Sequence, residues 1–447
     1  MTARAAIEKL RDSFDRQGSA LWFKVRHSRL VDNIVALYVV QFANYLVPLI
    51  IIPYVVRVLT PSGYGLGTFA ISFASFFGTI AEYGSNLTAS RAVAVGRANL
   101  QEVSRIATEV MFARIFLWFN CAGVFWILIS VVPKLQGNKL IMWMGFLYFF
   151  TFHLNPIWLY QGLEELRFSA RVSLGVRFAF LPLLFLVVRH PADTWKWVGL
   201  QTAGWATSAT ILWLYAYLRL GVRCTRPQWR GLGTQLREGF SLFVSQAAVK
   251  AYAQGNTFIL GMFTNVVIAG YYNAAEKIAE MAFTLLNPIV QAVYPRASRL
   301  AVVSRHAALH FMRKTLMVMG SAGFAMSTSL LAGAPWIVSI GLGPKYHASI
   351  TILRILSPLP CLVALSNVLG TQIMVPFKHD LAYTVILVSA GVVNLTLAAL
   401  LAPRWQGNGM AVSVTFSQVF VATAMFWYLG RRRLSPLGRL EPEAASL

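Results

Sequence analysis

Apolar stretches of about twenty residues or more recur from one end of this chain to the other, and a chain so built needs lipid as its solvent. Residues 34–56 and 379–402 are two of them. As helices rising about 1.5 Å per residue, each can cross a hydrocarbon layer of roughly 30 Å. Inside that layer backbone amides find no water, so only self-satisfied helices or closed barrels are tolerated. Runs of this length predict helices. Hydrophobic residues make up 57% of the chain and charged residues 12%, far from the balance of a soluble domain. The first run follows a charged arm of about thirty residues and has no small-residue cleavage site behind it, so it is expected to be retained.

Apolar runs, read against charged, glycine and proline punctuation, predict twelve spans. They lie at 31–57, 63–86, 110–132, 140–160, 170–188, 196–218, 239–262, 267–292, 315–341, 348–375, 380–402 and 408–430. The expected organisation is a cytoplasmic basic amphipathic arm (1–30), an N-terminal six-helix bundle (31–218), a basic linker (219–238), a C-terminal six-helix bundle (239–430) and a tail (431–447). In the arm, Ile7, Leu10 and Phe14 fall at helical spacing among Arg and Lys, with Trp22 and Phe23 following. That pattern suits an interfacial helix, with a solvated basic tail as the alternative. Pro48 and Pro53 in the first span, and Pro288 and Pro295 near the end of the eighth, predict bends.

The formal charge of +23 is explained by where the cations sit. With the amino terminus inside, inward segments hold 27 of the 39 Lys and Arg. The outward loops hold six: Lys134, Lys139, Arg189, Lys196, Lys345 and Arg404. The positive-inside rule therefore predicts a multi-pass protein of a bacterial inner membrane with both termini cytoplasmic, and nucleic acid is not needed as a partner. Arg431, Arg432 and Arg433 behind the last span suit a stop-transfer signal touching lipid headgroups. Cys121, Cys224 and Cys361 are far apart and show no metal-ligand spacing, so neither a metal site nor a cofactor is expected.

Six cations remain within the spans: Arg57, Arg114, Arg177, Lys250, Lys277 and Arg354. Ionisable groups at such depth face a protein interior or a wet cavity, although the first three lie near helix ends, from which they can reach the interface. Polar residues also form stripes. Thr68, Ser72, Ser75, Thr79, Glu82 and Asn86 in the second span follow steps of three and four and share one face. The eighth span carries Asn273, Glu276, Lys277 and Glu280, the seventh Gln246, Lys250, Gln254 and Thr257, and the first Asn33, Gln41 and Asn44. Interhelical hydrogen bonding explains scattered hydroxyls, whereas a solvated central cavity accounts for the charges as well. The striped spans occupy matching places in the two halves. Gly63-Tyr64-Gly65 and Gly270-Tyr271-Tyr272, with Ser90-Arg91-Ala92 and Pro295-Arg296-Ala297, suggest an internal repeat.

The stretch from Asn44, NYLVPLIIIPYVVRVLTPSGYGLGTFAISFASFFGTIAEYGSNLTASRAVA, resembles the amino-terminal signature of the polysaccharide-transport, Wzx-type O-antigen flippases. NPIWLYQGLEELRFSARVSLGVR at 155–177 and GYYNAAEKIAEMAFTLLNPIVQAVYPRASRL at 270–300 are similar to the same family. One departure is Thr60, where the family more often shows Gly. The resemblance implies an all-α polytopic fold with two six-helix bundles around a central V-shaped cavity, in the multidrug, oligosaccharidyl-lipid and polysaccharide exporter superfamily. It also implies a cargo, undecaprenyl-diphosphate-linked oligosaccharide, moved from the cytoplasmic to the periplasmic leaflet by alternating access. Besides cargo and membrane lipid, a polysaccharide polymerase and a chain-length regulator are the expected partners.

For such a cargo, Lys250, Lys277 and Arg91, with Arg57, Arg114, Arg177 and Arg354, are the candidates to meet the diphosphate. Gln41, Asn44, Asn86, Gln246, Gln254 and Asn273 are the candidates to face the glycan. Glu82, Glu276 and Glu280 are candidates to couple transport to a proton or sodium gradient, with neutralisation of Lys277 as the alternative role. Competing functions are a drug or metabolite antiporter of the same superfamily, a membrane-embedded glycosyltransferase or polymerase, and an assembly scaffold. An antiporter for cationic drugs predicts an acidic cavity instead of a basic stripe. The enzymes need paired acids, yet Asp193 is the only carboxylate in the outward loops, so no enzyme is expected.

Overall fold

The computed structural model describes residues 29–226 and 255–432 together with Gly233, Phe240, Phe243, Ala247, Lys250, Leu434 and Pro436, with side chains from Val47 onward except Ala292. The amphipathic arm, the side chains of Asn33, Gln41 and Asn44, the residues Gln246 and Gln254, most of the 219–238 linker and most of the tail lie outside the described residues. Two compact units are present, Met1–Pro48 and Leu49–Leu447. The second contains every hydrophobic core found among the described residues.

Among the described residues all regular structure is helical. The long helices are α1 (Arg29–Glu82), α2 (Ser85–Gly96), α3 (Leu100–Val131), α4 (Lys139–Leu154), α5 (Leu166–Val187) and α6 (Thr194–Leu218). They continue with α7 (Asn256–Phe263), α8 (Val266–Thr284), α9 (Asn287–Val303), α10 (Arg305–Trp336), α11 (Ser349–Leu356), α12 (Leu359–Ser366) and α13 (Asp380–Arg431). Seven described stretches are long and apolar enough to cross a membrane, and two of them, Val47–Gly96 and Asp380–Arg431, run to 50 and 52 residues. The first is interrupted at Thr60 and again at Tyr83 and Gly84, the second at Gln406. The chain is thus an all-helical, multi-pass membrane protein.

Several boundaries differ from the sequence expectation, each for a local reason. The expected proline bends do not break α1, which stays helical through Pro48 and Pro53 and turns at Thr60 (φ 63°, ψ 169°). The expected span 110–132 begins at Leu100, because the Asn99 side chain accepts the backbone N–H of Gln101 and Glu102. The span expected from 315 begins at Arg305, where Ser304 caps the N–H of Ala307. Both helices thus extend about three polar, capped turns beyond their apolar part. The span expected over 267–292 stops at Thr284, and α9 starts at Asn287 with Pro288 in its first turn, where a missing N–H costs nothing.

Packing distinguishes the two ends of the molecule. At the end that carries the Thr60 and Gln406 breaks, one core joins both halves of the chain, with Val55, Leu59, Tyr64 and Trp197 packed in the same cluster as Leu260, Tyr272, Leu342, Leu353 and Met410. At the opposite end each half has its own core: Val93, Val103, Ile106 and Trp158 in one, Met312, Leu316, Leu369 and Met425 in the other. The shared core depends on glycine. A Cβ on Gly65 would lie 1.8 Å from the Val266 carbonyl oxygen, and one on Gly270 would lie 2.4 Å from that of Pro61. The two glycines of the suspected repeat therefore meet, backbone against backbone. Basic residues of the first half close helix ends of the second half: Arg57 donates to the Ile340 carbonyl, and Lys134 to those of Met262 and Thr264.

The Thr60 conformation belongs to a region populated almost only by glycine and costs a β-branched residue about 1–3 kcal/mol. Thr60→Gly should raise the thermal unfolding midpoint in detergent. In the turn before α6, Asp193 takes a hydrogen bond from Lys196 at 2.7 Å and from the N–H groups of Arg189 and His190 at 2.9 Å each. These partners, Lys196 first, hold its carboxyl down to about 2. A depressed carboxylate stabilises fully above the unfolded value of about 4, and this contribution fades as the pH falls through the folded value. The protection factors of the Arg189 and His190 amides against exchange should be constant above about pH 4 and fall below it, and in Asp193→Asn they should be low throughout.

Candidate functional site

The ionisable residues of the spans gather in two places. The first is buried where α1 ends. Glu82 is 5% exposed and receives Asn86 Nδ2 on Oε1 at 2.7 Å and Lys250 Nζ on Oε2 at 2.5 Å. Arg114, 2% exposed, donates to Ser85 Oγ at 2.9 and 2.7 Å, to Asn86 Oδ1 at 2.7 Å and to the His153 carbonyl at 2.7 Å. Its guanidinium also lies 5.7 Å from the Trp158 ring centre. The His153 ring sits on the far side of Glu82, with Nε2 3.5 Å from Oε2. The left-handed residues Tyr83 (φ 46°) and Gly84 (φ 70°) turn the chain from α1 into α2, which carries Ser85 and Asn86 back over Arg114.

The second group is more open. Lys277 and Glu280 pair at 2.6 Å and keep 42% and 44% of their side-chain exposure. One turn earlier, Tyr272 Oη donates to Glu276 Oε1 at 2.7 Å. From the first half, Arg177 lies over the Trp205 ring at 5.8 Å. The Tyr148 hydroxyl lies within electrostatic reach of both Lys277 and Arg177. A planar guanidinium, an ammonium and aromatic faces stand together here in reach of solvent. Such a set suits a polyanionic, sugar-bearing ligand, with Arg as the bidentate partner of phosphate oxygens.

The other candidates fall elsewhere. Asn273, 8% exposed, accepts from Tyr64 Oη and donates to Thr257 Oγ1, both at 2.9 Å, as a seam between the halves. Thr68, Ser75 and Thr79 return their hydroxyls to carbonyls of α1, and Ser72 Oγ accepts the Phe258 N–H. The hydroxyl part of the stripe is therefore interhelical packing and does not line a wet cavity. Arg57 is taken by Ile340, whereas Arg91 and Arg354 are exposed and make no side-chain hydrogen bond among the described residues. Gln41, Asn44, Gln246 and Gln254 cannot be placed because they lie outside the described side chains. Sequence reading passed over His153, Tyr148 and Trp205. His153 had a usable signal, a lone histidine inside an apolar span. The two aromatics had none, being hidden among 30 Phe, 16 Tyr and 13 Trp.

Comparison with known proteins places the family and the fold. A family model described as "Polysaccharide biosynthesis protein" matches residues 30–301. A protein of Escherichia coli (strain K12) named "Putative O-antigen transporter" is 31% identical over 410 residues, covering 90% of this chain and 97% of its own. An inward-facing multidrug resistance MATE family transporter of the MOP superfamily superposes with a TM-score of 0.66 at 12% identity, over 89% of this chain and 98% of its own. The Lipid II flippase MurJ in an inward closed conformation also gives 0.66, at 10% identity, over 89% and 87%. The fold is the one these two share.

The paired groups around Arg114 set an expected cost. Arg114→Ala leaves Ser85, Asn86 and the His153 carbonyl without their donor inside the protein, and it should destabilise the fold by about 3–5 kcal/mol. Thermal unfolding in detergent measures this, with Arg91→Ala, on an exposed position, near neutral.

Proposed function

We propose that this chain, which belongs to the polysaccharide biosynthesis protein family, is a transporter of lipid-linked O-antigen units and not an enzyme. In finer terms it is a flippase that carries undecaprenyl-diphosphate-linked oligosaccharide from the cytoplasmic to the periplasmic leaflet of the inner membrane, with both termini cytoplasmic. The observations that carry this reading are two cations on opposite halves of the chain, Lys277 left 42% exposed beside Glu280 and Arg177 lying over the Trp205 ring. A diphosphate needs cations and a glycan needs aromatic faces and hydrogen-bonding groups. The lipid tail needs neither and can stay in the bilayer.

The packing supports alternating access. With the positive-inside orientation, the shared core lies at the periplasmic end and the separate cores at the cytoplasmic end. Cargo would enter between the separate cores and leave after the glycine contact and the Arg57 and Lys134 caps give way. Two packed arrangements of rigid bundles are the usual basis of such a transition. Lys277 is held by Glu280 until a stronger anion displaces it, so the diphosphate competes for an ammonium already positioned.

Arg177→Ala and Lys277→Ala should each abolish surface glycan in cells while leaving the amount of membrane-inserted protein unchanged. Normal glycan in both variants would remove the assignment. In proteoliposomes, translocation of a defined undecaprenyl-diphosphate sugar by the unaltered protein, with and without a proton or sodium gradient, tests both cargo and driving force.

A further inference from the structure

The buried group at the end of α1 contains a conflict that one proton resolves. His153 Nδ1 lies 2.8 Å from the Phe149 carbonyl oxygen. A carbonyl can only accept, so Nδ1 carries hydrogen. In a neutral ring Nε2 is then an acceptor, yet it faces Glu82 Oε2 at 3.5 Å. Two lone pairs point at one another across a gap too long for a strong hydrogen bond. The same carboxylate oxygen receives Lys250 Nζ at 2.5 Å. His153 and Lys250 thus address one atom.

We infer that His153 Nε2 is a proton-binding site whose occupancy displaces Lys250 from Glu82 and so opens the ion pair that ties Lys250 to the end of α1. Charge counting supports the direction. The groups facing His153 are Glu82 from α1, Lys250, and Arg114 from α3, with the Trp118, Phe149 and Phe152 rings around them. Arg114 and Lys250 already place two positive charges against the one carboxylate, and Arg114 is held by hydroxyl, amide and carbonyl dipoles and the Trp158 ring. A proton on His153 adds a third. One cation has to leave the low-dielectric pocket, and Lys250 is the one with a route out, being 29% exposed on its side chain against 3% for His153. The proton comes from water and rests on Nε2, and no other bond is made or broken.

The pair is a tie between halves of the chain. Above it Phe258 of α7 stacks on Phe73 at 4.7 Å and donates its N–H to Ser72. Below it Phe243 stacks on Tyr83 at 4.6 Å. Along this seam Glu82–Lys250 is the ionic contact among the described residues, so its loss weakens the end nearest Phe243 first. The inference does not rest on the cargo and stands or falls apart from the surface-glycan test.

Spin labels at Leu87→Cys and Phe240→Cys, both exposed positions, report the separation across this end once Cys121, Cys224 and Cys361 are replaced. Between about pH 8 and about pH 4, a span that reaches the acid side where a buried histidine takes its proton, the longer-distance population of the otherwise unaltered protein should grow about tenfold. In His153→Gln the distribution should not change with pH. A pH-independent distribution in the parent, or the same pH response in His153→Gln, would overturn the inference. If His153→Gln does not fold, Lys250→Met decides: a widened distribution at every pH supports the switch, and a parent-like response refutes it.

Discussion

An ionised side chain persists inside a bilayer only where the protein surrounds it with partners, and that requirement organises this molecule. Glu82 and Arg114 are almost wholly buried, and each is held by several bonds drawn from different helices. Helix orientations around them cannot drift, because rotating any one helix would strand a charge. The same constraint separates the two polar groups by purpose. Arg114 itself is saturated and behaves as a structural knot. The Lys277 group is half-exposed and only singly paired, so it retains capacity for a ligand.

Close helix contact gives the second organising feature. Lipid tails are as apolar as leucine, so helices in a membrane associate through tight packing and polar contacts instead of hydrophobic expulsion. Gly65 and Gly270 allow two backbones to touch, and Arg57 and Lys134 bind carbonyls that helix ends leave open. The cores at the opposite end are separate already. A shared core at one end and divided cores at the other is the asymmetry a transporter reverses as it works.

Much of the fold was legible from the apolar runs. Eleven of the twelve expected spans fall on described helices, and the seventh is described only from Gly255 apart from Phe240, Phe243, Ala247 and Lys250. Errors arose at helix ends, where Asn99 and Ser304 caps extend helices into polar sequence that hydropathy discards. The unusual Thr60 marked a real turn, because a residue with positive φ stands where glycine would be relaxed. The site was half legible. Helical spacing put Glu82 and Asn86 on one face, and they bond to each other. Spacing could not say that the hydroxyls above them meet α7 instead of water, or that Asn273 lies in a seam.

By itself the sequence determined that the chain lives in a membrane, where its spans lie and which residues carry charge into them, since length and apolarity act locally. Only the tertiary structure decided which charges are neutralised and which remain available. Lys250 and Lys277 look alike in sequence, yet one is tied to a buried Glu82 beside His153 and the other stands half-open near Tyr148 and Arg177. Pairing is a property of neighbouring helices, and the period of a single helix defines the face a residue occupies without defining what that face meets.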